Sequence, residues 1–219
     1  PLHPLDPGAK TRPSDLRTER DRARTERRRQ AVLDAATRVF VRQGFHRTLI
    51  SDIAKEAGVG QGTFYRHFPD KRAIFEAVFD RFVDSLFAEF AGMSANLPKD
   101  AREYRDSSVA AILRVARGLE RNQDLAKMLM RETPAVDAVL EDKLAALQDG
   151  FVMLAKSFLD HAVANGFARP CDTQLEAQAI VGIGTSMAHL WWCGRAPDVT
   201  LDQLVEQLVD FAFLGILSR

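Results

Sequence analysis

Residues Ala54–Phe75 read AKEAGVGQGTFYRHFPDKRAIF, with glycines at 58, 60 and 62 and an aromatic, basic run directly after them. Two kinds of chemistry use such glycines. A phosphate-cradling loop needs a strand running into the turn, and its Walker form ends in Gly-Lys-Ser/Thr. Here the preceding residues, Asp52–Ala57, carry a helical pattern, and Gly62 is followed by Thr63-Phe64. The other use joins two short helices through a three- or four-residue turn containing Gly. Ser51–Ala57, Gly58–Gly60 and Gln61–Phe68 meet that demand, with Gly58 free to take the positive φ that releases the chain from the first helix. Phe64 and Phe68, four apart, supply an inner face, and Pro69 ends the second helix. Gly62 costs about 1 kcal/mol against Ala inside a helix, which suits a backbone that must approach another molecule closely.

Outward from this motif the period stays helical. Val32, Leu33, Ala36, Val39 and Phe40 recur at spacings of three and four, and Gly44 ends that helix as a left-handed cap. Thr48 is the expected N-cap of the next helix, whose apolar face is Ile50, Ile53, Ala54 and Ala57. A long amphipathic helix follows Pro69, with Ile74, Phe75, Val78, Phe79, Phe82, Phe87 and Phe90. Further helices are expected near 102–119, 123–131, 135–165, 173–193 and 201–217, capped by Asn122, Thr173 and Thr200 and punctuated by Pro98, Pro134, residues 166–170 and Pro197. No window sustains strand alternation, so the reading is an all-α chain of about nine helices.

Charge divides the 219 residues unevenly. Residues 1–75 hold 16 Lys/Arg against 9 Asp/Glu, and residues 76–219 hold 14 against 21, so a net charge of zero conceals a basic front and an acidic body. A basic segment of this kind suits a polyanion. Three domains are expected: a flexible basic arm over 1–26, a helix-turn-helix unit over 27–75, and an all-helical unit over 76–219. The run DLRTERDRARTERRR, residues 15–29, is either a solvated extension of the first helix or a contact to a DNA groove or backbone. The start has no apolar core and three prolines among its first seven residues, unlike a signal peptide. The longest uncharged run, Ala177–Gly194, has 18 residues and contains Gln, Thr, Ser and His, short of the about 20 mostly apolar residues of a membrane span. Cys171 and Cys193 have no metal-like spacing and read as reduced, small apolar residues of a cytoplasmic protein. The scattered histidines form no catalytic or metal-binding constellation, so neither cofactor nor metal is expected and an all-α enzyme is the weaker reading.

The segment RRRQAVLDAATRVFVRQGFHRTLISDIAKEAGVGQGTFYRHFPDKRAIFEAVF resembles the DNA-binding domain of the TetR family of transcriptional regulators. The resemblance covers about residues 27–79, through LDAA, F-x-x-x-G-F, D-I-A-x-x-A-G-V, G-T-F-Y-x-H-F and a Lys three residues on. It implies a homodimeric, ligand-responsive regulator, in the usual form a repressor on a palindromic operator. An activator and a sequence-indifferent DNA binder of the same fold are the alternatives. Two positions depart from the family pattern: Leu49 stands where a second Ser/Thr is usual, and Gly60 where Ser is frequent.

On this reading Thr48, Gln61, Gly62, Thr63, Tyr65, Arg66, His67 and Lys71 are the DNA-binding candidates. Gln61, Thr63 and Arg66 are placed to meet base edges, since Gln pairs with adenine and Arg with guanine. The resemblance implies phosphate contacts for Tyr65, His67 and Lys71, so that losing Lys71 would flatten the salt dependence of binding. It also implies dimerisation through the last two long helices. There Ala179, Gly182, Gly184, Ser186 and Ala188 allow close approach, and Leu204, Leu208, Phe211, Leu214 and Leu217 are too apolar for a solvated helix. A small-molecule effector pocket is implied between the long helices. Its candidates are Phe82, Leu86, Phe90, Met93, Met128, Phe151, Phe158, His189 and Trp192, whose aromatic and Met character fits an apolar or aromatic ligand.

Overall fold

In the computed structural model, residues 13–90, 98–195 and 198–216 are described. Among them the chain forms nine helices and no strand: α1 Pro13–Arg47, α2 Ile50–Glu56, α3 Gln61–His67, α4 Lys71–Ala88, α5 Ala101–Arg121, α6 Gln123–Val136, α7 Ala138–Ala164, α8 Thr173–Trp192 and α9 Leu201–Ile216. The all-α reading therefore holds, with local differences. The charged run from Pro13 is helical and extends α1. Pro134 does not end its helix. It sits in the last turn of α6, and the break falls at Asp137, whose carboxylate accepts the Leu140 N–H at 2.9 Å. Asn122 does not cap α6 with its side chain; its Nδ2 donates to the Gly118 carbonyl. The cap of α8 is Asp172, which accepts from the Gln174 and Leu175 N–H groups, while Thr173 donates to Asp160 instead. At Thr200 the expectation holds, since its hydroxyl accepts from Gln203 N–H and the Gln203 side chain accepts in return from Thr200 N–H.

The chain divides into two compact units, residues 1–75 and 76–219, and α4 runs through the division. In the first unit the inward face of α1, formed by Val32, Leu33, Ala35, Ala36, Val39 and Phe40, is fully or almost fully buried. Phe75 of α4 meets Phe40 edge-on at 5.3 Å and Phe45 at 4.9 Å between ring centroids. Such edge-to-face pairs add about 0.5–1.5 kcal/mol beyond the area they bury. Gly44 has φ 77 and turns the chain out of α1, so Phe45 can fold back onto this cluster. Arg38 and Arg42 both reach Glu56 and tie α1 to the end of α2.

In the second unit α7 packs on α8 and α6, and α5 packs on α9 and α6. Arg105–Asp210 and Arg117–Asp202, each 2.6 Å, bridge α5 to α9, but these partly exposed pairs contribute little beside the apolar contacts. Gly150 of α7 faces the Phe87 ring of α4, and a Cβ there would lie 2.6 Å from Phe87 Cζ. That missing side chain lets Phe87 stack on Phe151 at 5.4 Å.

Candidate nucleic-acid interface

The turn between α2 and α3 is built from backbone hydrogen bonds. Gly58, at φ 66, donates to the Lys55 carbonyl and Val59 donates to the Ala54 carbonyl. This is the Schellman ending, which uses orphan carbonyls of α2 and redirects the chain within two residues. At the other end of α2 the cap position is Leu49, not Thr48. The Asp52 carboxylate accepts the Leu49 N–H at 3.0 Å and the Gln43 amide at 2.9 Å. Those two hydrogen bonds, the Leu49 one foremost, hold the Asp52 carboxyl below its usual range.

On α3 the side chains divide cleanly. Phe64 and Phe68 are buried and anchor the helix to its unit, and Arg29 lies over the Phe68 ring at 5.1 Å. Gln61, Gly62, Tyr65 and Arg66 are exposed, with Thr63 and His67 half-buried beside them. Tyr65 keeps 52% of its surface free, a large aromatic side chain standing out from a seven-residue helix. Arg66 donates to the Thr63 hydroxyl at 3.1 Å, so these two candidates present one joined polar group. Gly60 occupies the N-cap with no side chain, and its carbonyl accepts from the Thr63 and Phe64 N–H groups. A Cβ at Gly62 would meet nothing within 4 Å, so the protein's own packing does not require glycine there.

His67 has its pKa lowered, by burial first and then by the Arg66 and Arg29 charges. The folded chain therefore disfavours the charged imidazolium at this position.

Two expected DNA contacts are taken up inside the protein. The Thr48 side chain is fully buried, and its hydroxyl donates to the Gly44 carbonyl at 2.6 Å, so it faces the end of α1 and no phosphate. Lys71 sends its ammonium to the carbonyls of Phe45, His46 and Thr48 at 2.8, 3.3 and 2.9 Å, and rests over the Phe45 ring at 4.5 Å. Its three donors are spent on carbonyls of the segment 45–48 that follows the Gly44 break and leads into α2, and burial lowers its pKa. Lys71 ties that segment to the start of α4. Sequence position missed this because the partners lie 23–26 residues away. Leu49 is the converse surprise, an apolar side chain 62% exposed at the start of α2.

The second unit holds a cavity of about 320 Å³ bounded by α5, α7, α8 and α9. Of the ligand candidates Phe90, Phe151, Phe158 and Trp192 line it. Phe82, Leu86 and Met128 do not; they are buried core residues elsewhere. His189 is exposed on the outer side of α8, with Nε2 3.7 Å from the Cys193 sulfur. Met93 and Leu217 lie outside the described residues. The periodicity found apolar positions correctly but could not say which helix faces enclose the void. Tyr104, Met187, Trp191 and Phe213 line it as well, the rest is mostly aliphatic, and its polar members are few. Ser108 and Thr185 spend their hydroxyls on carbonyls of their own helices, the Tyr104 hydroxyl is pushed up to about 12 by burial, and Glu120 is the one carboxylate. Among the described residues no group of His, Cys, Asp and Glu is placed to hold a metal ion, and no helix is long and apolar enough to cross a membrane.

Residues 32–78, from the inward face of α1 through the turn and α3 into α4, match the family described as bacterial regulatory proteins, tetR family. Over these residues the chain carries the DNA-binding domain of the TetR family. Over most of its length it is similar to the HTH-type transcriptional activator FasR of Mycolicibacterium smegmatis, 28% identical over 94% of this chain and 90% of that one. It is also similar to the HTH-type transcriptional repressor KstR2 of Rhodococcus jostii, 24% identical over 87% of this chain and 92% of that one. Among solved structures, the fatty acid degradation regulator FadR of Bacillus halodurans shares the fold with a TM-score of 0.68 at 24% identity, covering 88% and 97% of the two chains. This TetR-family chain is a DNA-binding transcriptional regulator with a helix-turn-helix unit, and its relatives are regulators rather than enzymes. In the α2–turn–α3 geometry a helix is fixed from behind by two phenylalanines, with its polar side outward.

Proposed function

We propose that this regulator is a homodimeric repressor that binds a palindromic operator through α3 and is released by a small apolar or aromatic ligand held in the second unit. The observation that carries this reading is the pairing of an outward polar α3 with a nearly all-apolar cavity in a separate unit of the same chain. One seven-residue helix reads few base pairs, and a two-fold dimer doubles the site. Exposed Phe211 (67%) and Leu214 (77%) on α9, with Ile183 on α8, give the second unit an apolar surface that suits a partner copy. Residues 27–75 then read DNA, and 76–219 bind ligand and dimerise. Within α3, Gln61 and the joined Thr63–Arg66 pair are assigned to base edges, and Tyr65 and His67 to phosphates. Gly62 leaves room for the duplex backbone. The nearly all-apolar lining of the cavity favours an apolar ligand.

Release needs a path from cavity to α4. Phe151 lines the cavity and stacks on Phe87 of α4. About two to three helical turns back along the same helices, Lys143 of α7 holds Glu76 and Asp80 of α4, each at 2.7 Å. Burial disfavours the Lys143 charge, and hydrogen bonds to Asp80 and Glu76 outweigh it and raise its pKa. A ligand that displaces Phe151 therefore acts on the helix that continues into the DNA-binding unit. A coupling of about 1–3 kcal/mol would change operator affinity by roughly 5- to 150-fold.

The test is selection of bound duplexes from a random 40-bp pool, followed by anisotropy titration of the selected duplex with and without dodecan-1-ol. An inverted repeat, weakened binding with the alcohol, and relaxed preference in Gln61→Ala are the expected results. A pool that yields no shared sequence removes the specific-regulator reading.

A further inference from the structure

We propose that the N-terminal half of α1 is a second DNA-binding element, a one-sided basic helix that lies along the phosphate backbone flanking the bases read by α3. The inference rests on the first unit being the DNA-binding one, and adds a contact surface to it.

The first buried residue of α1 is Val32, and residues 19–28 are exposed throughout, so this stretch of helix packs on nothing in its own unit. Its charges are nevertheless sorted. At about 100° per residue, Arg20, Arg24, Arg27 and Arg28 fall within a sector of about 100°. Glu19 and Glu26 fall on the opposite side, and Asp21 lies at the edge of the arginine sector. Glu26 is held on its own side by Gln30 at 2.7 Å and Arg29 at 3.8 Å. Among the described residues, none of the four arginines has an ion-pair partner. Of the other arginines of α1, Arg38 and Arg42 are paired with Glu56, and Arg29 with Glu26 and the Phe68 ring.

Position ties the stripe to the reading helix. Arg29, next to Arg28 in the chain, lies over the Phe68 ring at the end of α3, and the charges of Arg29, Glu26 and Arg28 all act on His67, so this basic stretch of α1 starts beside the last turn of α3 and runs away from it. From Arg28 to Arg20 the helix advances about 12 Å at 1.5 Å per residue. A duplex carries a phosphate charge about every 1.7 Å of axis, so a stripe of that length spans several phosphates next to the recognised bases. An anionic membrane is the other extended polyanion, but residues 19–31 offer only Ala23 and Ala31 as apolar side chains, too little to enter lipid.

The full chain carrying R20A/R24A/R27A/R28A tests this. Ala is the best helix former, so the substitutions keep α1 helical, which circular dichroism verifies. Anisotropy on a 30-bp mixed-sequence duplex from 50 to 300 mM NaCl gives the salt slope, to which each phosphate contact contributes about 0.9. The slope should fall by about 2–4, while preference for a selected duplex over the mixed one stays at the wild-type ratio. Lys at all four positions should restore the slope, and Arg22→Ala, on the far side of the helix, should leave it near wild type. An unchanged slope in the quadruple variant, a Lys variant as weak as the Ala variant, or arm-dependent binding only to phosphatidylglycerol vesicles overturns the proposal. Loss of sequence preference in Gln61→Ala with the slope intact leaves the α3 reading standing whichever way the arm result falls, whereas a wild type that binds no duplex at all sinks both.

Discussion

Replacing Lys71 by Ala separates a structural lysine from a DNA-binding one. In the structure its ammonium donates to three carbonyls at 2.8, 2.9 and 3.3 Å and covers the Phe45 ring. Charge-assisted hydrogen bonds are each worth about 1.5–3 kcal/mol net when buried. The site is part-buried, the third bond is long, and water can replace some of the lost donors, so the sum must be discounted to about 2–3 kcal/mol. At about 2–4 °C per kcal/mol for a chain of this size, the melting midpoint should drop by roughly 5–10 °C. Lys71→Arg should recover little, because a planar guanidinium cannot point three donors at carbonyls around a single centre. The salt slope on a mixed-sequence duplex should match wild type at a temperature where both are folded. A variant with a wild-type melting midpoint and a slope lower by about 0.9 would refute the structural role and restore Lys71 to the phosphate backbone.

Gly62→Ala should do the opposite of most mutations. With nothing within 4 Å of the new Cβ, it should stabilise α3 by up to about 1 kcal/mol, while operator affinity falls at least tenfold, as melting and anisotropy together will read. His67 has a folded pKa below its ordinary value, so its contribution to stability is present above about pH 6.5 and is lost as pH falls through the folded value. Urea midpoints should therefore decline more steeply from pH 7 to pH 5 in wild type than in His67→Gln, and parallel curves would discard that assignment. The double substitution F211E/L214E should yield a monomer in analytical ultracentrifugation and weaken operator binding, because two charges replace side chains that are 67% and 77% exposed in the single chain.

Much of the fold was legible because its determinants are local. A helix period, a glycine at φ 66 and two phenylalanines four apart act within a few residues, and they specified α2, the turn and α3 before any contact was known. The caps were less legible. Thr48 and Thr173 are plausible caps by type, yet the Thr48 hydroxyl is spent on the Gly44 carbonyl one position before the cap Leu49, and beside Thr173 the Asp172 carboxylate accepts N–H bonds more strongly than a hydroxyl does. The ligand candidates show the same limit from the other side. Phe82 and Phe158 have equivalent apolar signatures in the sequence, and only packing shows that one fills the core and the other borders a void.

By itself, then, the order of residues determined an all-helical chain, the helix-turn-helix and the basic-to-acidic polarity, all of which follow from neighbours within one or two turns. Tertiary structure decided that Lys71 ties down the segment after Gly44, that Thr48 is sealed inside, that α5, α7, α8 and α9 bound a cavity, and that the stripe on α1 has no ion pair among the described residues. The reason is distance along the chain. A side chain's partner 26 residues away is chosen by how helices pack, and no local pattern encodes that choice.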